Sequence, residues 1–413
     1  MRAWIGPGSL ALATLASCGG GKTGASSAAS SSDAGATAAS ASSATGSGGG
    51  AGGTGGAPGS GGHGSGGAAP TGEPYVYVGG YGSEIRVFHL DLASGALTAV
   101  GSPVAAGTNP SFLAVDPAHR TLFAVNEGSG ASAAVASFHI DAATGALTFL
   151  SRVSSAGDGP AYVSTDRTGK LALVANYGGG TVAVLPVAAD GTLSDASDVH
   201  DHGGGSANPH EVVADAANAH AFVPNKGLDT VTEYALDAAS GKLTKTGTLT
   251  VAAGAGPRHL DLHPDGKHAY LIDELDSTMS ALSYDAASGK LTVLQTLSTL
   301  PAGFQGANTG AEVQVSPSGA FVYGSNRGHD SIVVFHVEAD GTLSLVGHQS
   351  ALGKTPRHFQ LERSGKVLLV ANQDSGNVVT FRVDPATGLL TPTGQEVAVP
   401  SPSYVGVVYL AAP

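Results

Sequence analysis

Asp237-Ala238-Ala239-Ser240-Gly241-Lys242-Leu243-Thr244 decides the reading of this chain, because the same turn returns almost letter for letter as Asp285-Ala286-Ala287-Ser288-Gly289-Lys290-Leu291-Thr292. Looser copies stand at Asp91–Thr98, Asp141–Thr148 and Asp384–Thr391, and shortened ones at Asp190–Ser194 and Asp340–Ser344. Their glycines, Gly95, Gly145, Gly191, Gly241, Gly289, Gly341 and Gly388, lie 50, 46, 50, 48, 52 and 47 residues apart. A period near fifty marks one supersecondary unit copied and stacked, so the 413 residues hold one repeat domain, not the two or three that length alone suggests.

Each unit opens on a small residue and usually Pro, as in Asn109-Pro110, Gly159-Pro160, Asn208-Pro209, Gly256-Pro257, Thr355-Pro356 and Ser401-Pro402, with Thr309-Gly310 the exception. A first strand, a tight turn such as Pro264-Asp265-Gly266-Lys267, and a second apolar strand ending near Asn follow, for example Leu171–Asn176 or Val367–Asn372. A third strand leads into the glycine turn and a fourth. Four antiparallel strands repeated seven times predict an all-β fold, a seven-bladed β-propeller, which leaves few exposed edges. The first unit begins at Tyr75-Val76-Tyr77-Val78 without its Pro-headed strand, and that strand reappears at Ser401–Leu410. The spacing therefore predicts a ring closed by pairing the C-terminal strand with the N-terminal blade, rather than an open solenoid.

Hydrophobic residues make up 42% and charged ones 12%, as suits apolar strands and Gly-rich turns. The formal charge of −13 argues against a nucleic-acid partner, which needs a basic face. Residues 1–18 read as an export signal ending in Leu15-Ala16-Ser17-Cys18, which resembles the bacterial lipoprotein processing box, with Cys18 lipidated as the mature N-terminus. Cys18 is the sole cysteine, so no intrachain disulfide is expected. Residues 19–72 are almost only Gly, Ala, Ser and Thr, too poor in apolar area to fold, and predict a flexible tether spanning roughly 40 Å. The propeller is assigned to 73–413, anchored to a membrane through Cys18 in the cell envelope, periplasmic or surface, and expected to be a monomer.

Within a unit the residue after the leading Pro or Gly and the residue after the Asn position are 16 apart: Ser111 and Glu127, Ala161 and Tyr177, His210 and Lys226, Arg258 and Glu274, Ala311 and Arg327, Arg357 and Gln373. Antiparallel pairing brings such positions opposite one another, and first strands line a propeller's channel, so they predict two rings around one mouth. Four consecutive units carry most of the charge: His210, Lys226, Arg258, Glu274, Arg327 and Arg357, with His259, Glu312 and His358 next along their strands. One carboxylate among several guanidinium groups suits an anionic small molecule, whose oxygens match the planar Arg fork. Taken singly, each of these residues reads equally as a cross-strand ion pair or a solvated rim charge. Asp198-Val199-His200-Asp201-His202 is too sparse a pattern for zinc or copper, and neither a Gly-x-Ser-x-Gly elbow nor a thiol nucleophile is present after Cys18, so no metal or other cofactor is expected.

At these residues the chain resembles the lactonase family of seven-bladed propellers, which includes a bacterial type of 6-phosphogluconolactonase and fungal muconate-lactonizing enzymes. The resemblance runs from Tyr75 to Leu410 and is carried by Gly256-Pro257-Arg258-His259, Asp273-Glu274-Leu275-Asp276-Ser277, Ser325-Asn326-Arg327-Gly328-His329-Asp330-Ser331, Thr355-Pro356-Arg357-His358-Phe359 and Ala371-Asn372-Gln373-Asp374-Ser375. It implies that His210, Arg258, Glu274 and Arg327 are catalytic, while Arg357, His259, Glu312 and His358, by their place in the same cationic sector, are expected to serve substrate binding. Asn208 departs from the pattern, standing where relatives often have the first His of a His-x-His pair.

The implied activity is metal-independent water attack on a lactone carbonyl, with Glu274 as general base, Arg residues on the developing oxyanion and His210 protonating the departing ring oxygen. A Glu beside Arg258 is expected to be a weak base, because the cation lowers its pKa. Export separates the domain from cytoplasmic sugar phosphates, so lactone chemistry is expected more firmly than any one substrate. The alternative class is a non-catalytic exported propeller acting as a surface or periplasmic ligand-binding module. A six-bladed calcium-dependent lactonase conflicts with seven repeats, and a WD-repeat scaffold with a sole tryptophan at Trp4.

Overall fold

The computed structural model describes residues 71–411. The expected signal at 1–18, the lipidation site Cys18 and nearly all of the tether at 19–72 lie outside the described residues.

The repeated turn is held by its own acid. In Asp237–Thr244 the Ala239 N–H donates to Asp237 Oδ1 at 3.0 Å and the Gly241 N–H to the Asp237 carbonyl at 2.8 Å, and the copies headed by Asp91, Asp141, Asp285 and Asp384 bond alike. The glycine is needed twice over. Gly145 and Gly388 both have φ +71°, which side chains with a Cβ resist, and a Cβ would stand 2.3 Å from the Tyr75 ring or 2.5 Å from the Phe321 ring. Those rings belong to the preceding blade, so each turn seats one blade on another. Tyrosine hydroxyls complete the clamp: Tyr77 donates to the Gly145 carbonyl at 2.9 Å, Tyr270 to Gly341 at 3.1 Å and Tyr323 to Gly388 at 2.9 Å.

Seven antiparallel sheets follow in chain order. Blade one joins Glu73–Gly80, Glu84–Leu90 and Leu97–Ala99 to the C-terminal strand Pro402–Leu410. That strand pairs Val405 with Val78 and Val407 with Val76, which closes the ring as expected. Blades two, three and four begin at Leu113–Val115, Pro160–Thr165 and Val213–Ala214, and blades five, six and seven at Pro257–Leu262, Thr309–Val315 and Pro356–Leu361. Second strands such as Leu171–Asn176 and Val367–Asn372 are buried throughout, because another blade covers each face, whereas the outermost strand Lys242–Thr250 alternates toward solvent. The core therefore lies between blades. Val76, Val78 and Phe88 of blade one pack with Val367, Leu369 and Val378 of blade seven, sealing the circle.

The predicted register needs one correction. Pro257 pairs with Asp273 and His259 with Ile272, so Arg258 is an extra residue in a β-bulge and not the direct partner of Glu274; blade seven repeats this at Arg357. Instead the Glu274 N–H reaches the Gly256 carbonyl at 2.7 Å, as Lys226 does Asn208 and Gln373 does Thr355. The first strands of blades two and four also start later than expected, at Leu113 and Val213.

Candidate active site

The bulge gives the site its shape. A regular strand sends successive side chains to opposite faces, whereas a bulge lets two neighbours share one. Arg258 and His259 accordingly lie side by side, Nη1 3.2 Å from Nδ1, both buried. The residue before the leading Pro sits at positive φ: +44° at Asn109, +50° at Asn208, +68° at Gly256 and +60° at Thr355. Asn tolerates this backbone, and Asn208 Nδ2 also donates to the Tyr177 carbonyl at 3.1 Å, so Asn208 holds the local turn.

Two layers result. The outer one carries Ser111, Ala161, His210, Arg258, Ala311, Arg357 and Ser403; a small open pocket lies among its members and is walled also by Tyr81, Phe112, Glu127 and His358. The inner layer, one residue further along each strand, is Phe112, Tyr162, Glu211, His259, Glu312, His358 and Tyr404, every member buried. Its aromatic rings touch across the channel: Phe112 lies 4.1 Å from Tyr162, 4.8 Å from Tyr404 and 5.4 Å from His358 between centroids. This layer floors the mouth.

Glu274 adjoins the pocket through Arg258. Its Oε1 stands 3.0 Å from Lys226 Nζ, and its Oε2 stands 3.2 Å from both Arg258 Nε and Arg327 Nη2. Burial alone would raise its pKa, but Arg258, Arg327 and Lys226 together outweigh burial and hold the carboxyl below its usual range. Arg327 is tied further by donating to the Gly310 carbonyl at 2.8 Å, and Arg258 by donating to the Ala311 carbonyl. Burial and the neighbouring arginines bring Arg258 down to about 9, still charged at neutral pH. Arg357 is different. Its guanidinium lies 5.3 Å over the Tyr81 ring and has no carboxylate partner among the described residues, so it is the cation of the mouth left for an anion.

The structure thus brings together His210, Arg258, Glu274 and Arg327, as the sequence predicts, with Lys226 and Arg357 beside them. It sets His259 and Glu312, expected at the substrate, in the floor instead, where they are 1% and 6% exposed and bonded to each other, Nδ1 to Oε2 2.9 Å. The reason is the bulge, which spends the outer position on Arg258 and leaves the next residue for the inner layer. His358 is in the floor too but still borders the pocket. Burial, reinforced by Arg258 and other cations, keeps His210 and His259 well below the usual His range.

Sequence reasoning missed the aromatic floor and Ser403. The signal for it was present in the second residue after each leading Pro or Gly. Asp198–Asp201 is the outermost strand of blade three; there His200 Nε2 is 2.9 Å from Asp198, and His202, just after it, uses Nδ1 on Asn225 and Nε2 on the Tyr234 hydroxyl, so both rings are structural. His263, Asp265 and His268 form a metal-sized cluster at the turn of blade five, the far end of its first hairpin from the mouth. There Asp265 accepts from Lys267 N–H at 2.7 Å and faces His268 Nδ1 at 2.7 Å, which accounts for it as a turn brace.

A seven-bladed propeller whose mouth holds one caged carboxylate, three caging cations and a free guanidinium defines the class. The seven-bladed lactonase propeller family matches residues 75–407, and the chain belongs to it. It is 36% identical to the 6-phosphogluconolactonase of Bacillus subtilis over 232 residues, which take in 54% of this chain and 66%, just under two thirds, of that protein. The 6-phosphogluconolactonase of Pectobacterium carotovorum is 34% identical over 55% of this chain and 68% of its own. Among solved structures, the periplasmic gluconolactonase of Pseudomonas aeruginosa superposes with TM-score 0.76 and 35% identity, covering 82% of this chain and 99% of that one.

Proposed function

We propose that this protein is a lactone hydrolase that opens a compact, anionic lactone in the cell envelope. The single observation that carries the reading is the convergence of Lys226, Arg258, Arg327 and Arg357, from four successive blades, around one carboxylate and one open pocket. The names of the Bacillus subtilis and Pseudomonas aeruginosa relatives support lactone chemistry, the former with an anionic sugar-phosphate lactone.

Arg357 holds the substrate's anion against Tyr81. Arg258 and Arg327 stabilise the oxyanion as water adds to the ring carbonyl, and the scheme requires no metal. Proton transfer is assigned to His210, which walls the pocket, and not to Glu274, which was expected as the base but whose oxygens face Lys226, Arg258 and Arg327. Glu274 instead aligns the cations, and His210, which burial and the cations keep uncharged, presents its imidazole to the pocket.

The test is a panel of sugar, sugar-phosphate and aliphatic lactones given to the purified domain, with base consumption measured with and without chelator. Anionic lactones are expected to turn over in both arms. Loss of activity to chelator, restored by a divalent ion, overturns the metal-free scheme; binding without turnover leaves the ligand-binding module.

Export and lipid attachment at Cys18 complete the proposal, supported by Leu15-Ala16-Ser17-Cys18 and by the periplasmic relative. Cys18→Ala is expected to release the protein from the membrane fraction, and retention there would overturn the anchor.

A further inference from the structure

His210, His259, Glu312 and His358 come from four successive blades and stand in bonding contact. His210 Nδ1 lies 3.2 Å from His259 Nε2, His259 Nδ1 lies 2.9 Å from Glu312 Oε2, and His358 Nε2 lies 3.4 Å from the same oxygen. Which atoms carry protons follows from the far end. The Val405 N–H points at His358 Nδ1 at 3.4 Å, so that nitrogen is the acceptor and His358 Nε2–H donates to Glu312. Glu312 Oε2 is thereby an acceptor, and His259 gives it Nδ1–H. Arg258 Nη1 has two hydrogens, one directed to the Ala311 carbonyl, and it lies 3.2 Å from His259 Nδ1; Glu312 Oε2, closer at 2.9 Å, is the partner assigned to that nitrogen. His259 Nε2 then has only a lone pair, so His210 donates Nδ1–H to it. Two nitrogens of the chain then lack a proton: His358 Nδ1, which accepts from Val405, and His210 Nε2, which has no such partner among the described residues and belongs to a residue that walls the pocket.

We propose that Glu312 and His259 form with His210 a buried proton relay, which makes His210 the group that takes the proton of the attacking water and returns it to the departing ring oxygen. The inference rests on the lactone reading above. As water adds to the carbonyl carbon, its O–H bond breaks and the proton goes to His210 Nε2. His210 passes its Nδ1 proton to His259 Nε2, and His259 passes its Nδ1 proton to Glu312. When the ring C–O bond breaks, the leaving oxygen takes the proton from His210 Nε2 and the chain reverses, so no further acid, base or metal is consumed. His259 and Glu312 touch no substrate and are positioning residues.

The surroundings suit the task. Phe112 and Tyr162 pack on His259 with centroids 5.9 and 5.3 Å away, keeping bulk water from the relay. The groups facing His210 are Arg258, Arg357, Arg327, Lys226, His259 and the Tyr177 ring, and the cations keep it neutral until a proton arrives from the substrate side. Glu312 is faced by Arg258, Glu211, Asp261, His259 and His358; burial raises its proton affinity most, Arg258 opposes that, and Glu211 and Asp261 add to it.

The experiment compares wild type, Glu312→Gln and His259→Gln by two readouts. The first is the 15N spectrum of histidine-labelled protein, with His210 assigned by the His210→Gln spectrum. In wild type the proton is expected on His210 Nδ1. In Glu312→Gln, whose amide can donate to His259 Nδ1, it is expected to move to Nε2. The second is kcat against pH on the best lactone of the panel: both variants are expected to lose a hundredfold or more and the low-pH limb of the profile. Glu312→Asp, which keeps a carboxylate, is expected to recover part of both and serves if Glu312→Gln does not fold. An unchanged His210 tautomer, or a wild-type pH profile in either Gln variant, overturns the relay. Because the tautomer is read without substrate, it decides the relay even if no lactone turns over, in which case only the assigned activity falls.

Discussion

Lys226 and Glu274 meet across two neighbouring blades with Nζ 3.0 Å from Oε1, and their contact completes a cage in which one carboxylate faces three cations. The Arg258 and Arg327 side chains are 3% and 11% exposed, so water compensates little if the carboxylate is lost. Glu274→Gln is therefore expected to destabilise the domain by about 3–5 kcal/mol, the usual cost of breaking a buried ion pair. Denaturant unfolding measures it. The residual activity of this variant is expected to keep the low-pH limb of the wild-type profile, because His210 supplies the proton transfer. Disappearance of that limb would return the base role to Glu274.

Arg357 has the opposite character, a cation over Tyr81 with no carboxylate within ion-pair distance among the described residues, although Glu127 walls the same pocket. Arg357→Leu is expected to raise KM for an anionic lactone by tenfold to a hundredfold, about 1.4–2.7 kcal/mol, with little change in kcat. A neutral lactone of the same ring size is the control. Equal losses on both substrates would show that Arg357 shapes the pocket instead of reading charge.

How much of this was visible in the sequence depends on distance along the chain. The turn Asp237–Thr244 and its copies are local motifs whose acid and glycine act on their own backbone, so seven repeats and the ring could be read directly. The cluster of His210, Arg258, Glu274 and Arg327 was also legible, since a constant spacing of 16 places them alike in every unit. What spacing does not reveal is a bulge. Alternation along a regular strand would send Arg258 and His259 to opposite faces, and only the slip between Pro257 and His259 turns both to the channel. The caging of Glu274 was hidden for a related reason: Lys226 and Arg327 approach it from the blades on either side, and nothing local fixes the angle between blades.

The clamp between blades is testable away from the mouth. The Tyr323 hydroxyl donates to the Gly388 carbonyl at 2.9 Å within the core, so Tyr323→Phe is expected to cost about 1 kcal/mol. Gly388→Ala should cost clearly more, since φ is +71° and the new methyl meets the Phe321 ring at 2.5 Å. Thermal unfolding of the two variants checks the order. A Gly388→Ala protein as stable as wild type would mean that the turn relaxes and does not seat the blade.

Blade five breaks the Asn rule, and the consequence is a pH dependence of stability. In blades two, three, six and seven, Asn126, Asn176, Asn326 and Asn372 donate Nδ2–H to the carbonyls of Ala106, Ser155, Thr299 and Ala351 at 2.7–2.9 Å. Blade five has Asp273 there, fully buried, with Oδ2 accepting from Thr278 at 3.0 Å and Oδ1 without a partner among the described residues. Burial, then repulsion from Asp276 and Asp229, against the Thr278 and Ser280 hydroxyls, pushes its pKa up from 3.8 to about 7. The sign is that of a raised acid: the folded state holds the proton longer than the unfolded one, so this stability is present at low pH and is lost as pH rises from about 4 to 7. Asp273→Asn restores the repeat's amide and removes that loss. It is expected to stabilise the domain by roughly 2–4 kcal/mol at pH 8 and far less at pH 4. Glu211, raised by burial to about 8, leaves a slope of the same sign in the variant. Urea unfolding of both proteins across pH 4–8 reads the difference directly, and two parallel curves would show that Asp273 keeps its charge in the folded state.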